Sequence, residues 1–153
     1  MVMQETLRFQ CPASSNTPVT VERETTIGKY TIMPSTELFV NFYGLHYNAD
    51  HWQRPREFLP ERFDKDDPLY LAPNGKKRHA FAYAPFNGGR RVCFGKTFAE
   101  ATIKILVTYL TSHFNFEHVD EKYRSEYPLA HFGISGKKPP VNIKLTPHNG
   151  LKD

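Results

Sequence analysis

The sequence predicts an α+β chain: one long amphipathic helix, several small antiparallel strand pairs, and long stretches of ordered coil between them. Three observations carry this reading. Phe98, Ala101, Ile105, Tyr109 and Phe114 recur at the three-to-five spacing of a single helix face. Runs of β-branched and aromatic residues around Gly28 and ahead of Tyr43 are long enough only for short strands. Proline occurs 12 times in 153 residues, about 8% against a usual 5% or so, which enforces frequent bends.

Residues 1–9 are helical by propensity, yet no Ser, Thr, Asp or Asn stands ahead of them as a cap, so the helix opens mid-length. Residues 11–18, rich in Pro, Ser, Asn and Thr, leave the helix, and residues 19–21 resume as a short extended piece. Residues 25–32, turning at Gly28, and then 36–43, after a break at Pro34, form a hairpin-like arrangement. Between 50 and 63 only short helical turns fit, because Pro55 and Pro60 interrupt anything longer. Residues 64–78 are a polar loop. Residues 80–95 mix rings with Pro85, Gly88, Gly89 and Gly95, the pattern of ordered coil with tight turns. The long helix covers 96–114 and starts just after Cys93. Finally, Gly133, Gly136 and the alternating Val141, Ile143 and Leu145 predict a terminal hairpin over 132–145. No internal repeat and no compositional boundary divides the chain, so 1–153 is read as part of one domain.

Composition excludes several function classes. Counted with Gly and without Tyr, apolar residues make up about 40% of the chain against a typical 45–50%, but 14% are aromatic. The formal net charge of +4 is spread among acids rather than gathered on a basic face, so nucleic-acid binding gains little. The longest charge-free run, 9–21, contains Pro12 and Pro18 and is far short of the roughly 20 apolar residues of a spanning helix. The first residues lack the order of a secretory signal, and two cysteines make no disulfide framework, so a reducing compartment is the default. The seven histidines have no zinc-type spacing. The run Lys76, Lys77, Arg78, His79 is read first as a solvated loop.

Cys93 stands where a ring-rich coil meets the long helix, a place where backbone N–H groups and the positive helix end favour a thiolate. Arg90 and Arg91 precede it and make the local field cationic, suited to an anionic partner such as a carboxylate. Taken alone, a lone cysteine is more often a buried structural thiol. The surroundings change that weighing. Phe86, Gly89, Arg91, Cys93 and Gly95 stand in the order F-x-x-G-x-R-x-C-x-G, with the small Ala99 in the following helix. At average residue usage, five fixed positions coincide in a chain of this size on the order of once in 10⁴ or fewer. Upstream, in order, lie Glu5-Thr6-Leu7-Arg8, an E-x-x-R, and Pro60-Glu61-Arg62-Phe63, a P-E-R-F.

Together these motifs resemble the cytochrome P450 family, haem-thiolate monooxygenases. The resemblance implies a part of the family's α+β fold, which is mainly α when intact: the end of the K helix, small β-sheets, the meander, the cysteine-ligand loop, the L helix and a C-terminal hairpin. It implies haem b, iron protoporphyrin IX, as cofactor and Cys93 as its axial ligand, a thiolate whose electron density favours O–O cleavage. Phe86 would pack on the ligand side, Gly89 and Gly95 would let the backbone aim N–H groups at the sulfur, and Arg91 would pair with a haem propionate. Arg23 matches a second propionate partner. Glu5, Arg8 and Arg62 would form a buried structural network joining helix to meander. Pro18, Val19 and Thr20, and again Phe132 and Ile134 within 131–134, match the two C-terminal segments that touch substrate.

The same resemblance implies an apolar small substrate, O2, and NADPH-cytochrome P450 reductase or a similar electron donor, for which Lys76, Lys77, Arg78, His79, Arg90 and Lys96 offer a modest basic docking surface. Nothing in the chain matches the distal A-G-x-[DE]-T helix, the membrane anchor or the helices that supply most of the substrate pocket. The chain therefore reads as a C-terminal fragment, opening at an internal methionine of a longer coding sequence or belonging to a degenerate gene piece. Two expectations remain open: part of a haem-dependent monooxygenase on the cytosolic side of the endoplasmic reticulum membrane, or a non-catalytic remnant that does not bind haem. On either, the 153-residue chain by itself is expected to be inactive.

Overall fold

The computed structural model describes residues 1–119 and 142–148, which fall into two compact units, Met1–Asn87 and Gly88–Asp153. The first unit opens with α1 (Val2–Phe9), whose N-terminus has no side-chain cap and whose buried residues are Glu5, Leu7 and Arg8. Two charges on the buried face of a short helix require partners from elsewhere in the unit.

Strands β1 (Val19–Thr20), β2 (Thr25–Ile27), β3 (Tyr30–Ile32) and β4 (Glu37–Leu38) form two antiparallel pairs. The β2–β3 hairpin pairs Ile27 with Tyr30 across a two-residue turn, where Gly28 takes a φ of 60°, a conformation that glycine adopts without steric cost. The run at 36–43 does not extend that hairpin. Instead β4 pairs with β1, Val19 opposite Leu38, so that the outer pair encloses the inner one. Phe42 and Tyr43, read as strand from their rings, belong to α2 (Phe42–His46), because the Asn41 side chain accepts from Gly44 N at 2.8 Å and caps a helical turn. A Cβ at Gly44 would stand 3.2 Å from Asn41 Cγ, so the glycine keeps that cap in place.

Beyond α2 the chain runs as coil with single 3₁₀ turns at Pro60–Phe63, Pro68–Tyr70 and Ala80–Ala82, as the prolines dictate. Its buried apolar side chains are Leu7, Val21, Phe42, Trp52, Ala72, Ala82 and Ala84. Trp52 is wholly withdrawn from solvent, with Tyr83 in an edge-type contact and Phe63 tilted beside it. At 150–250 Å² and about 25 cal/mol per Å², that one ring contributes roughly 4–6 kcal/mol of gross apolar transfer.

The second unit holds a 3₁₀ turn at Gly89–Arg91, α3 (Lys96–His113), β5 (Phe114–His118) and β6 (Ile143–Pro147). The expected long helix is there, one residue shorter, and passes directly into β5. The terminal strand is there too; its partner is β5, with Phe116 opposite Leu145. The remainder of the predicted hairpin, 132–141, lies outside the described residues. No α3 side chain is buried, and Phe98, Ile105, Leu106, Val107 and Tyr109 are at least half exposed. Among the described residues no helix is long and apolar enough to cross a membrane.

Candidate functional site

Glu5 and Arg8, three residues apart on α1, share its buried face. Arg8 Nε donates to Glu5 Oε2 and Nη2 to Oε1, both at 2.7 Å, a bidentate pair with neither side chain exposed. Arg62, in the Pro60–Phe63 turn, donates from Nε to the same Oε1 at 3.3 Å, also fully buried. Leu59 N adds a bond to Oε1 at 2.8 Å. The three charged residues expected to form a network therefore do so.

One carboxylate cannot neutralise two guanidinium groups, and main-chain carbonyls supply the rest. Arg8 Nη1 donates to His46 O and Pro55 O, and Nη2 to Glu57 O, so each of its five N–H groups is engaged. Arg62 reaches Gln53 O, Arg54 O and Glu57 O. Burial holds the Arg62 guanidinium below its ordinary pKa and the Arg8 charge adds to this, while Glu5 opposes it. This pins residues 53–62 of the coil to the helix.

The sequence reading missed Arg78. Lys76 and Lys77 are exposed, as a solvated loop requires, but Arg78 turns inward. Its guanidinium lies 4.3 Å from the centre of the Trp52 ring and donates to Leu69 O at 2.7 Å and to Arg62 O. Burial lowers its pKa, with the Arg62 charge acting the same way. Arg8 also lies over Trp52, at 5.3 Å, so the indole sits among the cations of the network. A single Trp followed by prolines and arginines was the available signal.

The backbone leading to the cysteine loop is fastened residue by residue. Trp52 Nε1 donates to Ala82 O at 3.3 Å, Tyr83 OH to Gln4 O at 3.1 Å, and Ala84 N to His46 Nε2 at 3.1 Å. His46 is fully buried, and burial, with the Arg8 charge behind it, lowers its pKa to about 4; the Arg8 main-chain carbonyl pulls the other way. Its Nδ1 is buried without a hydrogen bond of normal geometry. Phe86 follows, half-buried, and Asn87 takes a φ of 63° as the coil turns.

In the second unit Gly89 has a φ of 60°, which accounts for a glycine there. Gly95 has an ordinary φ of −81°; a Cβ on it would lie 3.8 Å from Cys93 Sγ, so the glycine leaves that side of the sulfur clear. Cys93 is exposed and in no disulfide, its carbonyl accepting from Lys96 N at 3.2 Å in the turn that starts α3. Arg91 and Arg90 are exposed beside it, as are Val92 and Phe94. Among the described residues neither the Cys93 thiol nor the Arg91 guanidinium makes a hydrogen bond or ion pair. Arg23 is likewise exposed, and Pro18, Val19 and Thr20 lie exposed at and before β1. Phe132 and Ile134 lie outside the described residues.

Comparison with known proteins gives the same direction. The family model described as Cytochrome P450 matches residues 1–145. The chain is 34% identical over 123 residues to tabersonine 3-oxygenase of Catharanthus roseus, covering 78% of this chain and 23% of that protein. It is 27% identical over 151 residues to cytochrome P450 3A11 of Mus musculus, covering 99% and 28%. Among solved structures, a retinoic acid bound cyanobacterial CYP120A1 superimposes with a TM-score of 0.78 at 24% identity, over 96% of this chain and 32% of that one. A zebra fish cytochrome P450 structure with abiraterone gives 0.72 at 24% identity, over the same shares. The chain thus spans about a quarter of the length of these curated relatives, and its small sheets and few helices are a partial P450 fold. With its family model matched along nearly the whole chain, and a buried acid–arginine network where the motifs put it, this chain belongs to the cytochrome P450 family.

Proposed function

We propose that the chain is the C-terminal, proximal haem-binding portion of a single cytochrome P450 domain, belonging to a monooxygenase that oxidises an apolar small organic molecule with O2 and reductase-supplied electrons. The observation that carries this reading is the closed, wholly buried Glu5–Arg8–Arg62 network, which joins two motifs more than fifty residues apart. It belongs to a chain that also presents an exposed thiol at a helix start, beside an exposed arginine that has no ion-pair partner among the described residues.

The residues fit the cofactor by their chemistry. Cys93 supplies an anionic sulfur for iron, and Arg91 and Arg23 supply cations for the propionates of haem b. Phe86 contributes an apolar surface on the ligand side, and Gly89 and Gly95 keep the backbone turned and the sulfur clear. Haem, when bound, supplies the O2-activating chemistry; no catalytic group beyond its ligand is assigned to this chain. Pro18, Val19 and Thr20 are candidate substrate contacts by resemblance, as are Phe132 and Ile134, which lie outside the described residues. Exposed Lys76 and Lys77 in one unit, and Arg90 and Lys96 in the other, serve a reductase such as NADPH-cytochrome P450 reductase. An intact protein containing this chain would be attached to the cytosolic side of the endoplasmic reticulum membrane.

The test is spectroscopic. In the longest product of the reading frame, reduced and treated with carbon monoxide, the parent and Cys11→Ser give the red-shifted Soret band of a thiolate complex and Cys93→Ser does not. Equal behaviour of the two serine variants overturns the ligand assignment.

A second reading, a non-catalytic remnant that holds no haem, is favoured by the apolar side chains open to water around the ligand: Phe94 is fully exposed and Phe98 is 76% exposed. On either reading the 153-residue chain supplied with haem gives no such band; on this one the longest product of the reading frame gives none either.

A further inference from the structure

We propose that His46 is a positioning residue, tying the backbone that leads into the cysteine loop to the buried Glu5–Arg8–Arg62 network. Its main-chain oxygen accepts from Arg8 Nη1 at 2.8 Å, and its ring Nε2 accepts from Ala84 N at 3.1 Å, both bonds buried. One residue at the end of α2 thus engages the network with its backbone and the coil two residues before Phe86 with its side chain.

The direction of the second bond fixes the state of the ring. An amide N–H can donate only to an unprotonated nitrogen, so the imidazole is neutral with its proton on Nδ1. Its surroundings act the same way: burial disfavours a charged ring, the Arg8 guanidinium repels a second cation, and the Tyr83 ring, 5.6 Å away at 31°, offers no charge, while only the Arg8 main-chain carbonyl opposes. The other ring nitrogen, Nδ1, is buried and makes no hydrogen bond of normal geometry, so the bond to Ala84 is the one that fixes the ring's orientation. Ala82 and Tyr83 are held by neutral groups of Trp52 and Gln4. Ala84 is held by a titratable side chain.

The purpose of this tie rests on Cys93 being the haem ligand, but the test does not use haem. In the isotope-labelled 153-residue chain at neutral pH, we expect a nitrogen–nitrogen coupling across the Ala84 N–H···Nε2 bond and the shifts of an Nδ1-protonated ring. His46→Gln, whose amide oxygen can accept from Ala84, keeps the Ala84 amide protected and leaves the resonances of 84–95 in place. His46→Phe, a ring without an acceptor, speeds Ala84 exchange roughly tenfold and shifts 84–95, while the β2–β3 hairpin stays unchanged. A proton on Nε2 in the parent, or equal behaviour of the Gln and Phe variants, overturns the proposal. The coupling is read in the parent chain, so the proposal stays open to refutation even where a variant fails to fold. Failure of the carbon monoxide test leaves this result standing, and failure here leaves that spectrum unaffected.

Discussion

Glu5 and Arg8 meet through two 2.7 Å bonds with no solvent on either side chain, and Arg62 shares one of the same carboxylate oxygens. The arrangement places one negative and two positive charges in the interior. Such a group is sensitive to the loss of its only anion. Glu5→Gln keeps size and shape but leaves two buried cations with carbonyls alone, and we expect a loss of about 3–5 kcal/mol. Chemical denaturation of the chain and the variant reads this as a fall in midpoint; a change under about 1 kcal/mol would show that the network behaves as an exposed pair.

Arg78 extends the network through a different physics. It holds Arg62 by its main-chain oxygen rather than by charge, and it rests on Trp52. Arg78→Ala is expected to lower stability by about 2 kcal/mol, from two lost charge-assisted bonds and the ring contact. Lys77→Ala, one residue earlier and exposed, stays within about 0.5 kcal/mol. Arg78→Lys falls between, because an ammonium lacks the planar fork that reaches Leu69 O and Arg62 O together. Equal midpoints for the 77 and 78 alanine variants would return the whole run to a solvated loop.

What could be read in advance depended on how each residue is partnered. Glu5 and Arg8 are legible because the helix period puts them together, and Arg62 because its motif is known to accompany theirs. Arg78 and His46 were not, since their partners are main-chain atoms: Leu69 O and Arg62 O for one, Ala84 N for the other. A main-chain atom leaves no mark in a sequence. The short helix α2 was hidden by ring-rich residues that read as strand, although Asn41 three residues before Gly44 was a cap signal. Strand β5 was absorbed into the end of the long helix, although Phe114, Phe116 and His118 alternate as a strand does.

The neutral state of His46 gives a pH dependence whose sign is fixed. Its pKa is about 4 in the folded chain against an ordinary 6.5, lowered first by burial and then by Arg8. The unfolded chain therefore binds the extra proton first, so stability contributed above pH 6.5 is lost as pH falls toward 4, by about 3 kcal/mol in all. Other groups titrate in the same range, and comparison with His46→Gln isolates this one. The parent should lose stability relative to the variant as pH falls across that window, and the offset between them should stay constant above it. A difference independent of pH would mean that the ring does not stay neutral.

Cys93 and Cys11 should separate in simple thiol chemistry. Cys93 is exposed, ahead of α3, with Val92 and Phe94 on either side turned to water. Cys11 is half-buried, its Sγ 3.9 Å from Pro85 O, and burial raises its pKa. The thiolate is the reacting species, so the exposure of Cys93 and the raised pKa of Cys11 both direct the reagent to Cys93. Alkylation by iodoacetamide near neutral pH, followed by peptide mass analysis, should label Cys93 about tenfold faster or more, and the two rates should converge in denaturant. The rates also report on the site itself. If Cys93 is the group that takes up iron, ferric haem added before the reagent slows labelling at Cys93 and leaves Cys11 as it was; haem that slows both alike, or neither, argues that the exposed sulfur is only a surface thiol.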